Sequence, residues 1–232
     1  MDTVADLLPA LGLRITAGPL ELRGLRDDDL AALADLAARG VHDPDRMPFY
    51  VPWTQAPPEE LRRGLVQYHW RSRAEFSPDA WRLELGVWHE GVLVGTQGFS
   101  TRDYLVTRTG ETGSWLGLPH QGRGIGTAMR RAICAFALDH LDAEEVTSGA
   151  FTDNPASLAV SRKVGYRPNG TRRLRRREGE VAVNQSLVLT REHLVRDEHA
   201  LVVEGLEPFR RSIGLDTPHS PGTAGTTPPE MP

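Results

Sequence analysis

Residues 115–133, WLGLPHQGRGIGTAMRRAI, run from an apolar stretch through a glycine-broken turn into a helical pattern. Gln121, Gly122, Arg123, Gly124, Ile125 and Gly126 form the turn. Glycines here let the backbone approach a ligand closely, and the unpaired N–H groups and positive dipole end of the following helix suit a phosphate or another anion. The spacing is G-x-G-x-G; a dinucleotide site needs G-x-G-x-x-G with an acidic ribose-binding residue, and a nucleotide P-loop needs Gly-Lys-Ser/Thr. The same turn also serves as a ligand-free strand-to-helix connection, and the residues alone leave both readings open. His120 has an ordinary pKa of about 6.5, but it lies in the turn itself and reads as structural or exposed. The single cysteine, Cys134, sits among Ala132, Ile133 and Phe136 and reads as a core residue. No His, Asp or Glu cluster has metal-ligand spacing and no Ser-His-Asp order stands out, so no metal site is expected.

The elements that must position this turn follow from periodicity. Leu20 to Arg26 reads as a short strand. Asp27, Asp28 and Asp29 are expected to cap a helix over Leu30 to Arg39 that Gly40 closes. A loop rich in proline and aromatic residues, Val41 to Pro58, leads to a second helix near Glu59 to Arg73. Trp81 to Trp88 and Val92 to Ser100 alternate around Gly91 as a hairpin, with Glu84 on the face opposite Leu83, Leu85 and Val87. Ser114 to Leu118 is a strand, and Gly124 to Leu141 a helix with Met129, Ile133, Phe136 and Ala137 on one face. Val146 to Phe151 is a strand, Asn154 to Lys163 a helix, and Tyr166 to Arg176 with Val181 to Thr190 a final hairpin. Seven strands mixed with helices and hairpins indicate an α+β class, unlike a pure run of βαβ units.

Composition bounds the partners. The chain has 232 residues, 31 acidic against 27 basic, and a formal net charge of −4, which lacks the electrostatic footprint of a nucleic-acid binder. The longest apolar run, Ala132 to Leu138, is far short of the roughly 20 residues that span a bilayer. The acidic start, with Asp2 and Asp6 and no basic residue before Arg14, lacks a secretory n-region, so a cytoplasmic location is expected. Residues 216–232 hold five of the 17 prolines and almost nothing apolar, and are expected to be a disordered tail. The expected organisation is an extension over 1–19, one domain over 20–215 with a helical C-terminal segment, and that tail.

Two motifs together resemble the GNAT (Gcn5-related N-acetyltransferase) superfamily. Its acyl-CoA loop reads Gln/Arg-x-x-Gly-x-Gly/Ala, which Gln121, Gly124 and Gly126 match, and FTDNPASLAVSRKVGYRPNG resembles its next segment, with Asn154 opening a helix and Gly165-Tyr166 closing it. ETGSWLGLPHQGRGIG and NPASLAV look most like the RimJ/RimL branch. The resemblance implies a central, mixed, mostly antiparallel twisted sheet of about seven strands flanked by helices, with a splay between the fourth and fifth. It implies acetyl-CoA as co-substrate, its pantetheine arm on the backbone of Trp115, Leu116, Gly117 and Leu118, and its diphosphate on the N–H groups of Arg123, Gly124, Gly126 and Thr127, with Gly122 and Ile125 also in the coenzyme-binding loop. Gln121 would order the loop or meet the first phosphate, and Asn154 would border the coenzyme.

Direct attack of an amine on the thioester then requires a base, a polarised carbonyl and help for the leaving thiolate. Many relatives place a tyrosine seven residues after the asparagine, where this chain has Ser161; the RimL-like pattern points instead to Ser157 as donor to sulfur. Some relatives place a glutamate five residues before the asparagine, where this chain has Gly149. Glu111 resembles the glutamate before the Gly-Tyr-Trp-Leu run of RimL-like enzymes, which makes it the first candidate base, or else a solvated strand-end acid; Glu84 is the second candidate. Met47, Phe49, Tyr50 and Trp53 are expected to shape the acceptor and acyl pocket, to pack as a lid over the core, or both. Arginines in TRRLRRREGE read first as a solvated hairpin face and second as a dock for an acidic partner or a coenzyme phosphate. The expectation is an acyl-CoA-dependent N-acetyltransferase acting on a protein N-terminus, a lysine or a small amine. Two alternatives stay open: a succinyl-CoA enzyme in which Arg46 meets the second carboxylate, and a catalytically silent acyl-CoA sensor. The amphipathic segment VVEGLEPFRRSIGL can pack on its own domain or on a second subunit, which leaves a homodimer open.

Overall fold

The computed structural model describes residues 2–216, so the proline-rich stretch expected over 216–232 lies, apart from Asp216, outside the described residues. In chain order the elements are α1 (Val4–Leu7), β1 (Arg14–Ala17), β2 (Leu20–Gly24), α2 (Asp27–Ala38), α3 (Pro58–Ala74), β3 (Ala80–His89) and β4 (Val92–Arg102). There follow α4 (Tyr104–Thr107), β5 (Thr109–Leu116), α5 (Ile125–His140), β6 (Glu145–Phe151), α6 (Pro155–Val164), β7 (Arg167–Arg177), β8 (Glu180–Thr190), β9 (Val202–Glu204) and α7 (Leu206–Ser212). The nine strands of the described residues form one sheet in the order β7-β8-β6-β5-β4-β3-β2-β1-β9. Every neighbouring pair is antiparallel except β5 with β6.

The sheet therefore has nine strands where about seven were expected. The two extra ones stand together at one edge: β1 comes from the segment read as an extension, and β9 from the one read as helical. At four and three residues, both are too short to show alternation. The capping of α2 also differs from expectation. Arg26 is the N-cap and the helix starts at Asp27, because Asp29 accepts from the Arg26 N–H at 2.8 Å and from both arms of Arg23 at 3.0 Å.

Burial divides the sheet into two faces. On one, α5 lays Met129, Ile133, Phe136 and Ala137 against Leu83, Leu85, Phe99 and Val146. Trp81 fills the centre of that core, with Phe99, Tyr104 and Phe209 around it at centroid distances of 5.3–5.6 Å. Cys134 is fully buried there, as expected, and burial pushes its thiol up to about 11. Phe209 and Ile213 are also fully buried, so the amphipathic segment around α7 packs back on its own domain. On the other face α2 and α3 pack through Leu30, Leu33, Leu61 and Leu65, with Trp88 and Trp115 from the sheet.

His69 of α3 is buried on this second face, and burial and then the charge of Arg73 lower its pKa to about 4. Its folded value lies below the unfolded one, so between about pH 6.5 and 4 the unfolded chain binds the extra proton. Stability is full above that window and falls with pH through it, by roughly 3 kcal/mol for this one group. Thermal melts from pH 7.5 to 4.5 should show a fall that His69→Gln reduces; identical pH slopes in the two proteins would contradict the assignment.

Candidate functional site

The β5–β6 ladder holds only Thr109↔Glu145, Gly110↔Val146 and Glu111↔Thr147. Beyond Glu111 the two parallel strands part, while β5 stays paired to β4 as far as Leu116 and β6 to β8 as far as Phe151. The expected splay is this gap; the strand β1 ahead of it shifts its count to five and six. Side chains already satisfy the first backbone groups facing the gap: Thr147 Oγ1 donates to Gly110 O at 3.3 Å and Ser148 Oγ to Thr112 O at 3.2 Å. Because N–H and C=O groups alternate sides along a strand, Ser114 and Leu116 come next toward the gap. Of the stretch Trp115 to Leu118, then, Leu116 offers its N–H to a ligand there. The Gly117 and Leu118 N–H groups donate at 3.0 Å to Val94 O and Gly40 O, and Gly117 is a glycine because a Cβ would run into Leu36. Ser114, which the sequence reading left out, belongs to this set.

The glycine turn stands at the end of β5. Gly122 and Gly124 have φ of +72° and +85°, in the left-handed region, and a Cβ on either would meet open space. Gly124 is the N-cap of α5, and no side chain among the described residues caps the helix. The N–H groups of Gly122, Arg123 and Gly124 meet no acceptor among the described residues, and Ile125 and Gly126 have none within the helix. The Thr127 N–H is committed to Gly124 O at 3.0 Å, which removes it from the expected anion set. Gln121 orders the loop: its Nε2 donates to Val41 O at 2.6 Å and Leu116 O at 2.8 Å, spending both hydrogens on the protein. His120 is partly buried, and burial with the charges of Arg123 and Arg39 lowers its pKa.

Across the gap, Asn154 Oδ1 accepts from the Ser157 N–H at 3.1 Å and so caps α6. The Ser157 hydroxyl is partly exposed and makes no hydrogen bond among the described residues, while Ser161 is buried with its hydroxyl unpartnered. Of these two serines, only Ser157 can reach a ligand in solvent.

The α2/α3 face of the sheet carries the carboxylates. Glu84, Gly98 and Gly113 lie side by side on β3, β4 and β5. A Cβ at Gly98 would sit 3.0 Å from both Glu84 oxygens, so the carboxylate lies over Gly98; a Cβ at Gly113 would meet nothing. The Glu84 carboxylate thus occupies the space over Gly98, and the open space over Gly113 continues from it as a trough toward the splay. Tyr68 Oη donates to Glu84 Oε1 at 2.5 Å. Burial raises the Glu84 pKa above the ordinary carboxylate range, against the smaller opposing effects of Tyr68 and Arg82. Glu111 is exposed on the same face, two residues from Gly113. Neither Tyr68 nor the paired glycines was singled out in the sequence, although glycines inside strands mark close approach.

The loop between α2 and α3 roofs this face. Trp115 packs against Trp53 at 5.8 Å, and Trp53 against Phe49 at 5.3 Å. Met47 is only 3% exposed and packs inside the loop. Tyr50 stacks edge-on against Phe151 at 5.5 Å, and its hydroxyl fills the space above Gly149, where any Cβ would collide with it. Burial and then the charge of Glu111 raise the Tyr50 pKa. Arg46 is exposed. Arg172 and Arg173 are exposed on β7, while Arg176 pairs with Asp153 and Glu180. Among the described residues no cluster of His, Cys, Asp and Glu can hold a metal ion, and no helix is long and apolar enough to cross a membrane.

Comparison with known proteins agrees with this geometry. The family described as acetyltransferase (GNAT) domain matches residues 19–167, more than half of the chain. A Bacillus subtilis (strain 168) protein named for an assumed ribosomal N-acetyltransferase activity, YdaF, is 31% identical over 91 residues, 39% of this chain and 49% of its own. The match thus spans about half the length of that relative. Mycobacterium smegmatis RimJ, solved in complex with CoA-disulfide, superposes with a TM-score of 0.63 at 19% identity, over 86% of this chain and 92% of its own. RimL, a ribosomal L7/L12 alpha-N-protein acetyltransferase solved with coenzyme A, gives 0.57 at 19% identity over 74% and 94%. At such identities the two structures establish a common fold.

Proposed function

The chain belongs to the GNAT acetyltransferase family, and from that premise we propose that it transfers the acetyl group of acetyl-CoA to a primary amine. One observation carries the reading: the gap between β5 and β6 has the uncapped start of α5 at one end and the Glu84–Gly98–Gly113 trough opening onto its other face. The coenzyme supplies an activated thioester. Backbone N–H groups of Gly122 to Gly126 hold its diphosphate, and Ser114 and Leu116 offer backbone groups to its arm.

The amine enters along the trough under Tyr50 and Trp53. Glu84 takes its proton, helped by the raised pKa, and Glu111 holds the ammonium on arrival. A C–N bond forms as the C–S bond breaks, and the Ser157 hydroxyl donates to the departing sulfur. The order of the two carboxylates is thus the reverse of that expected from sequence, because Glu84 is the one whose environment favours accepting a proton. The activities named for YdaF and RimL favour a protein amine as acceptor and the cytoplasm as location.

Thiol release from acetyl-CoA, measured with peptide α-amines, lysine peptides and amino sugars, tests the reading. Release that depends on at least one amine is expected, with succinyl-CoA slower than acetyl-CoA. Tight acetyl-CoA binding without turnover on any amine would instead identify a sensor.

A further inference from the structure

Among the described residues Arg130 is the one buried basic side chain besides His69, at 6% exposure. It rises from α5 beneath the splay and spans it. Nη1 donates to Ser148 Oγ of β6 at 3.2 Å, and Nη2 to Ser114 Oγ of β5 at 2.9 Å. Among the described residues Nε is buried without an acceptor, and no ion pair includes this guanidinium. Two of its five N–H donors are therefore used, both on neutral hydroxyls. A buried cation with no counter-charge and unfilled donors is costly, and an apolar side chain of similar length would pack there more cheaply. The surroundings are polar as well: Ser148 Oγ donates to Thr112 O, and Tyr166 Oη joins Thr112 Oγ1 to Cys134 Sγ.

Position narrows what this group can meet. Arg130 is five residues beyond the first residue of α5, about 7.5 Å along the helix. That is past the turn that would hold a diphosphate and level with the open gap. It also approaches from the α5 face, opposite Glu84 and Glu111, so it serves the donor and not the amine. We infer that Arg130 is a donor-binding residue whose unfilled guanidinium N–H groups take a carbonyl oxygen of the acyl-pantetheine arm as that arm lies between Ser114 and Ser148. The inference rests on the functional reading above and adds a side chain to it.

Binding and stability separate this role from a structural one. Calorimetric titration of wild-type protein, Arg130→Met and Arg130→Lys with acetyl-CoA and with coenzyme A is paired with thermal melts of the ligand-free proteins. The expected result is a loss of affinity of about tenfold or more in Arg130→Met, with a melting temperature equal to wild type or higher, and partial recovery in Arg130→Lys. Equal losses for the two ligands identify an amide carbonyl of the arm; a loss confined to acetyl-CoA identifies the thioester carbonyl. Wild-type affinity in Arg130→Met overturns the inference and leaves the functional reading standing. If Arg130→Met is unstable, Arg130→Lys decides: an affinity several-fold below wild type is expected, and wild-type affinity overturns the inference. Failure of the wild type to bind either ligand overturns the functional reading and the inference together.

Discussion

Replacing Glu84 by glutamine should lower kcat on the amine substrate by about 10²–10⁴-fold while leaving the protein at least as stable as wild type. The rate loss is the usual scale for removing a positioned base. The stability argument runs the other way. Burial raises the Glu84 pKa, so the folded state disfavours its ionised form, and a neutral amide removes that penalty above the ordinary carboxylate pKa. Tyr68 Oη, 2.5 Å from Oε1, keeps an acceptor in the amide oxygen. In the wild type, kcat/KM for the amine should rise with pH through the raised carboxylate pKa, because the base must first lose its proton. Glu84→Gln should lose that acid limb. Glu111→Gln should mainly raise KM for the amine, since Glu111 is exposed beside the trough and acts on a cation in transit. A kcat loss confined to Glu111→Gln, with Glu84→Gln normal, would exchange the two roles.

Filling the trough should be nearly as damaging. A Cβ at Gly113 meets nothing within contact range and its φ is not in the left-handed region, so Gly113→Val should fold without strain; valine also suits a strand. Its side chain would project between Glu84 and the splay, on the face away from α5. Amine acetylation should fall by about 100-fold or more, the cost of misplacing reacting groups by an ångström or so. Acetyl-CoA affinity should change little. Equal losses of coenzyme affinity and turnover would show that Gly113 lines the donor path. Unchanged turnover would show that the amine arrives from elsewhere.

The parts legible in the sequence are those that burial or backbone geometry writes into it. Leu83, Leu85 and Val87 alternate because one face of β3 is core. Gly122 and Gly124 stand where φ is positive, and Asn154 where a helix needs a cap. The functional face is harder to read for the same reason. The run TGETGSW belongs to β5 from Thr109 onward, yet only Ser114 to Leu118 reads as strand. Gly113 and Glu111 face an open cleft, so before Trp115 no apolar residue marks that side. The edge strands β1 and β9 are too short for any period to show.

Arg130 leaves a faint trace. It falls three residues before Ile133 and seven before Ala137, both buried, so a charge stands on the apolar stripe of α5. Gly149 is the opposite case. The sequence shows a missing side chain, and only the fold shows that Tyr50, a hundred residues earlier, puts its hydroxyl in that space. Long-range replacement of this kind has no local signature.

A crystal structure with coenzyme A bound tests the central claim most directly. The account predicts density for the pantetheine arm between Thr112–Leu116 and Ser148–Phe151, the diphosphate on the N–H groups of Gly122 to Gly126, and the thiol end within reach of Ser157 Oγ. A second groove, of about 430 Å³, runs along the other side of α5 and is lined by Ala128, Ala132, Arg196 and Leu201. Coenzyme lodged there, with β5 and β6 still flanking an empty gap, would contradict the account.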